Sequence, residues 1–225
     1  MRLFAVYHKG DEIAFISHLD IQRALQRAFR RANVPLAYSQ GFNPHPKLSF
    51  ASAVATGQTS DAEWFEVALE EQIDPGEFTA RVNAVMPPGL YLSDAFEPAD
   101  NFPSLSSLTR AAEYVIKLSL VEELPADRLS AAAEALLNGA IIVQKRTKGG
   151  EKAVDIRPQI IGVFVEKIEG KEITLRVLGR LQADGGLRAE LFAGALLDRL
   201  DAHGSVAVRR THMYFAGDGP LPQLP

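Results

Sequence analysis

The spacing of hydrophobic and polar positions changes several times along this chain, and each change marks an element. Residues 3–7 read as a strand, Lys9-Gly10-Asp11 as a turn, and 12–16 as a short extended piece. From residue 18 the period lengthens. Ile21, Leu25, Ala28, Phe29 and Ala32 share one face at helical spacing, which predicts a helix over 18–33 that Pro35 ends. Strands follow over 48–54 and 63–69, joined by the turn-rich Thr56-Gly57-Gln58-Thr59-Ser60. A helix is predicted over 74–85, broken by Pro87-Pro88-Gly89, and then a strand over 90–96.

Residues 98–108, rich in Pro and Ser, read as a linker, after which the pattern repeats. A strand over 112–120, a helix over 127–137 stopped by Asn138-Gly139, and a strand over 141–145 come first. A hairpin of 160–167 and 172–178, a helix over 188–200 and a strand over 206–214 complete the second half. Strand–helix–strand–strand–helix–strand is the order of a ferredoxin-like unit. The expected architecture is therefore α+β: two tandem ferredoxin-like (βαββαβ) units, RAMP-like, over residues 1–100 and 109–225. One undivided α+β domain is the alternative.

Composition narrows the chemistry. The 225 residues include no cysteine, which excludes disulfides, thiolate zinc sites and iron–sulfur ligation by this chain. The longest apolar runs are too short to cross a bilayer, and Met1-Arg2 leads straight into a strand-like segment. A cytoplasmic, membrane-free location is the expectation. The net charge of −4 argues against nonspecific coating of nucleic acid, yet residues 1–50 hold seven Lys/Arg against three Asp/Glu. Residues 51–108 hold one against ten.

Candidate chemistry gathers in Phe15-Ile16-Ser17-His18-Leu19-Asp20 and in Tyr38-Ser39-Gln40-Gly41-Phe42-Asn43-Pro44-His45-Pro46-Lys47. Ser17 and Asp20 have the spacing of a capping box at a helix start. The same helix start, with His18 in its first turn, is a candidate phosphate seat. Arg23, Arg27 and Arg30, with Arg31 at the edge, lie opposite the apolar face, and no acid follows any of them at i+4 before Asn33. Such a row is either a solvated surface or a grip for phosphates. His45, held between two prolines, is either positioned for binding or proton transfer or is a turn residue capping nearby backbone. His18, Asp20 and His45 together would imitate a two-histidine, one-carboxylate metal site, but with Asp20 used in capping no metal is expected. Lys145, Arg146 and Lys148 form a basic, glycine-containing loop that lacks the pattern of a nucleotide-binding P-loop.

The run FISHLDIQRALQRAFRRANVPLAYSQGFNPHPKLSFASAVATGQTSDAE, with the later KAVDIRPQI, resembles the radical SAM-linked protein family, a domain of unknown function. The resemblance implies a domain that is either a separate chain or joined to the C-terminal side of a cobalamin-binding-type radical SAM protein. It is often encoded near a ribonuclease of the E/G type and ribosomal proteins. It implies a context and no reaction. The tandem pattern is also similar to CRISPR repeat-processing ribonucleases of the RAMP superfamily, which place a histidine near a basic helix and cleave RNA without a metal; the glycine-rich loop typical of them is not clear here.

These readings converge on a non-redox accessory protein without a cofactor, binding RNA or presenting a substrate for a radical SAM protein on a separate chain. Its expected ligand contacts are Ser17, His18, Arg23, Arg27, Arg30, Arg31, Asn43, His45, Lys47, Lys145, Arg146 and Lys148. Two rival readings are a metal-independent endoribonuclease using His45 or His18, and a protein–protein adaptor docking through the acidic residues 61–77.

Overall fold

A computed structural model of the chain describes residues 1–147, 150–182, 185–217 and 220–224, and the side chains of Arg146 and Thr147 are not among the described groups. It is α+β and divides into two compact units: Met1–Arg110 with His212–Pro225, and Ala111–Thr211. Among the described residues no helix is long and apolar enough to cross a membrane.

The first unit runs β1 (Arg2–Lys9), a 3-10 turn (Asp11–Ile13), α1 (His18–Arg31), β2 (Leu48–Phe50), β3 (Gln58–Ala68), α2 (Pro75–Asn83), β4 (Leu90–Phe96) and the single-turn α3 (Leu105–Leu108). Its sheet order is β4–β1–β3, with β2 also on β3, and all these pairs are antiparallel. That is the ferredoxin-like arrangement. Side chains alternate along β1. Leu3, Ala5 and Tyr7 join a core with Ile21, Leu25, Ala28 and Phe29 of α1 and Phe78 and Val82 of α2. Phe4, on the other face, meets the rings of Phe96 and Phe102 edge-on, while Trp64 meets Phe96 and Phe215.

Three expectations change in this unit. Residues 12–16 are not extended, because the backbone closes into successive tight turns with Ala14 N–H donating to Asp11 and Ile16 N–H to Ile13. The strand expected over 48–54 stops at Phe50, whereas the next one starts early, at Gln58, and pairs Ser60 with Lys9. The stretch 98–108 is packed rather than an open linker. Phe102 lies on Phe4, Arg2 donates to the carbonyls of Phe102 and Pro103, Ser104 caps α3, and Leu105 is fully buried.

The second unit contains β5 (Thr109–Leu120), whose first two residues belong to the first unit, α4 (Ala126–Leu137), β6 (Ile142–Thr147), β7 (Gly150–Asp155), a 3-10 turn (Arg157–Gln159), β8 (Ile160–Glu169), β9 (Glu172–Gln182), the short β10 (Gly185–Gly186), α5 (Ala189–Leu200) and β11 (Gly204–Phe215), whose last residues belong to the first unit. The order β11–β5–β9, with β8 also on β9, is again ferredoxin-like. Tyr114, Ile116 and Leu118 of β5 and Ile173, Leu175 and Val177 of β9 are buried, as are Phe192, Ala193 and Leu196 of α5.

The strand expected over 141–145 does not enter this sheet, where β8 takes the place beside β9. It becomes β6 and, among the described residues, pairs only with β7, as a two-stranded ribbon inserted between α4 and β8. The ribbon's root is fixed by the segment KAVDIRPQI. Asp155 accepts from the amides of Ile141 (2.9 Å) and Arg157 (3.0 Å), and the Arg157 guanidinium donates to the carbonyls of Leu137 (2.6 Å) and Ile160 (3.0 Å).

Because Leu105 is fully enclosed, Leu105→Ala should lower the unfolding free energy by about 2–5 kcal/mol, measured by urea denaturation. A residue in an exposed linker would change it by less than about 0.5 kcal/mol.

Candidate nucleic-acid interface

The geometry around α1 begins with a residue that the sequence did not mark. Lys9, at the end of β1, is fully buried, and its ammonium donates to the carbonyls of Ala14 (2.7 Å) and Ala55 (3.3 Å). Ala14 O also accepts from the Gly57 amide (2.8 Å). The turn before α1 is thereby tied to the loop after β2. Gly57 has φ +88°, where a side chain is strained, and a Cβ placed there would lie 3.7 Å from the Phe15 ring. With Ala14 pinned inward, the next residue is turned out: Phe15 is 81% exposed, Ile16 40% and Leu19 62%.

The polar half of the same motif is spent on structure. Ser17 caps α1, its hydroxyl accepting from the Asp20 amide (3.3 Å) and donating to the Asp20 carboxylate (2.7 Å). Asp20 also accepts from Arg23 at 2.9 Å. Its carboxyl is held below the usual carboxylate range, first by the Ser17 hydrogen bond and then by that of Arg23. The expected phosphate seat is therefore occupied, because an ionised carboxylate already sits at the positive end of the helix. His18 is half-buried, with its ring edge-on against Phe50 at 4.6 Å.

The four arginines of α1 separate into two kinds. Arg23 is paired with Asp20, three residues before it, so the row is partly neutralised after all. Arg31 donates to the Val85 carbonyl at 2.5 Å, bracing α1 against the end of α2. Arg27 and Arg30 are exposed, and among the described residues neither guanidinium makes a hydrogen bond or an ion pair, although the charge of Arg27 helps to hold Asp20 ionised. They are the cations of this face that no fold contact uses.

The loop carrying Asn43 and His45 closes on itself. Ser39 N–H donates to the His45 carbonyl (2.9 Å), the Ser39 hydroxyl accepts from the His45 amide (3.1 Å), and His45 Nδ1 lies 3.0 Å from that hydroxyl and 3.4 Å from the Asn43 carbonyl. A proton on Nδ1 suits the carbonyl, which only accepts, and leaves Nε2 as the ring's acceptor. His45 and the exposed Lys47 border a shallow groove of about 350 Å³ with Arg2, Ser49 and Glu66. Glu66 accepts from Ser49 and faces Arg2, so an anion entering the groove meets a carboxylate. His45 precedes the first residue of β2, whereas His18 lies on the last, Phe50. The fold thus holds the two histidines at different ends of that strand.

Other expected contacts lie elsewhere. Lys145, in β6, stands directly opposite Lys152 in β7, a like-charged pair on exposed strands. Arg146 pairs through its backbone with Glu151, and Lys148 lies outside the described residues. Among the described residues, no three His, Asp or Glu side chains come together as a metal site. The acidic stretch 61–77 does not form one docking face. Glu63 is fully buried, Asp61 meets His8, Asp74 caps α2 and Glu77 meets Arg81.

Comparison with known proteins places the chain in a family. The model of the family described as "Uncharacterized protein conserved in bacteria (DUF2344)" matches residues 2–188. The chain belongs to that family. The match takes in the DUF2344 chain's first unit up to α3, the ribbon and its clamp, and ends just before α5. No curated protein matches it. Among solved structures, it is similar to a chain of a Cbf5-Nop10-Gar1 complex, at 14% identity and a TM-score of 0.54, over 94% of this chain and 48% of that one. A second is an archaeal box H/ACA sRNP Nop10-Cbf5 complex, at 11% identity and a TM-score of 0.49, over 94% and 47%. This DUF2344 chain thus spans about half the length of those chains, and the likeness to the first is one of fold.

The capping geometry has a measurable consequence. Ser17→Ala should raise the titration midpoint of the Asp20 carboxyl toward the ordinary carboxylate value, followed by NMR of the carboxyl carbon. It should also destabilise the protein by about 1 kcal/mol. Because folding depresses this acid's pKa, its contribution is present above the ordinary carboxylate range and disappears as pH falls through the folded-state value. An unchanged midpoint would mean that Arg23, not Ser17, holds the carboxylate.

Proposed function

We propose that this chain is a non-redox RNA-binding protein that presents RNA, or a component of the translation apparatus, to a radical SAM enzyme on a separate chain in the cytoplasm. The observation that carries the RNA-binding part is the pair Arg27 and Arg30, exposed on α1, whose guanidinium groups make no hydrogen bond or ion pair among the described residues, Arg27 acting on Asp20 only through its charge. A guanidinium that the fold does not use is available to grip phosphate bidentately.

The radical SAM partnership rests on the resemblance carried by the SHLD and GFNPHPK motifs. The absence of cysteine is compatible with it, since the ligands of a cluster would then come from the partner. The ribonuclease reading gains less support, because His18 and His45 lie at different ends of β2 and the Nδ1 of His45 is engaged by its own loop.

Binding of a labelled RNA, titrated at several salt concentrations, tests this reading. Arg27→Gln with Arg30→Gln should weaken binding and flatten the log–log salt dependence by about 0.7 per lost single-strand phosphate contact. Folding should be unchanged, because both residues are exposed. An unchanged slope would leave the two arginines as solvated surface and overturn the assignment of this face.

A further inference from the structure

We infer that the RNA held by α1 is single-stranded, with a base stacked on Phe15 at the head of the helix while its phosphates follow Arg27 and Arg30. This rests on the RNA-binding reading above and names the form of RNA that the site takes.

The case begins with an apolar ring where folding gives it no reason to be. Phe15 is 81% exposed, and Leu19, in the first turn of α1, is 62% exposed. A single exposed apolar residue is ordinary. Here three of them, Phe15, Ile16 and Leu19, lie within five residues, in a segment whose backbone is tightly fixed. Lys9 and the Gly57 amide both hold Ala14, Ile16 N–H donates to Ile13, and Ser17 caps the helix. The backbone that carries the ring is thus held in place, with the side-chain-free Gly57 beside the ring's edge.

A solvent-facing aromatic ring on a fixed backbone, followed by cations that no hydrogen bond or ion pair uses, is the combination that single-stranded nucleic acids recognise: bases stack on the ring and the backbone runs along the charge. The geometry of α1 allows both. Leu19, Arg23, Gln26 and Arg30 fall within a narrow stripe of the helix, with Arg27 beside it. Arg27 lies eight residues beyond Leu19, about 12 Å along the axis, and Arg30 about 4.5 Å further. A duplex keeps its bases stacked on one another and offers no free face to Phe15. An acidic protein is the competing occupant. It would use the same charge and also the apolarity of Phe15, but not its flatness.

The test uses the full chain and two probes, a labelled single-stranded oligoribonucleotide of mixed sequence and the same strand in a duplex, with binding read by fluorescence anisotropy. Phe15→Ala should weaken single-strand binding by about 5- to 150-fold, the range seen when one stacked base loses its aromatic partner. Its salt slope should not change, since no charge is altered. Phe15→Trp should keep the affinity and Phe15→Leu should lose most of it. Duplex binding should be weaker and insensitive to position 15. All three variants should fold normally by circular dichroism because the ring is exposed.

If Phe15→Ala binds the single strand as well as the unsubstituted chain, while the Arg27→Gln/Arg30→Gln variant is weakened, stacking is overturned and RNA binding stands. If Phe15→Leu binds the single strand as well as phenylalanine, the contact is apolar but not aromatic, and stacking is overturned. If the unsubstituted chain binds neither probe, this inference and the reading beneath it both fall.

Discussion

The ammonium of Lys9 has no solvent around it, so its hydrogen bonds must come from the protein itself. Two of its acceptors are the carbonyls of Ala14 and Ala55, which belong to segments far apart in sequence. Burying a cation in this way carries a penalty of several kcal/mol unless acceptors are fixed around it. The turn after β1 and the loop after β2 therefore cannot move independently. The rest of the α1 surface follows from that tie. Ala14 is drawn inward, Phe15 is turned outward, and the chain arrives at Ser17 already placed to cap the helix.

From there α1 divides its residues between two tasks. Ile21, Leu25, Ala28 and Phe29 fill the core, and Ser17, Asp20, Arg23 and Arg31 hold the helix and its ends. What remains outside is an apolar head, Phe15, Ile16 and Leu19, and a basic tail, Arg27 and Arg30. The motif that looks like a polar site in sequence is inverted in the fold: its polar residues build the helix start, and its apolar residues face solvent. An exposed ring ahead of two unpaired guanidinium groups is the physical ground for reading this face as one that holds RNA.

Much of the fold was legible from periodicity. The amphipathic pattern located α1, the Pro-Pro-Gly break and the following alternation located β4, and the Ser17–Asp20 spacing gave the cap that the structure contains. Other features were hidden for identifiable reasons. A lysine at the end of a strand looks like a solvent residue, and only the tertiary fold encloses Lys9. Residues 141–145 have strand character, but pairing is not local information, and β6 found its partner in the next segment instead of the main sheet. Phe102 and Leu105 are sparse apolar residues in a Pro/Ser background, so their burial is invisible until Phe4 is placed beside them. The pairing of Arg23 is missed by a rule that looks for an acid four residues ahead, because its partner lies three behind.

The central claim, that the head and outer face of α1 are where RNA is held, is tested most directly by ultraviolet crosslinking of the full chain to RNA with mapping of the crosslinked peptides. The account expects crosslinks in residues 10–30, led by Phe15, and their loss when the RNA is competed away by unlabelled single strand. Crosslinks confined to the β6–β7 ribbon, or to the groove beside His45 and Lys47, with residues 10–30 unmarked, would contradict it.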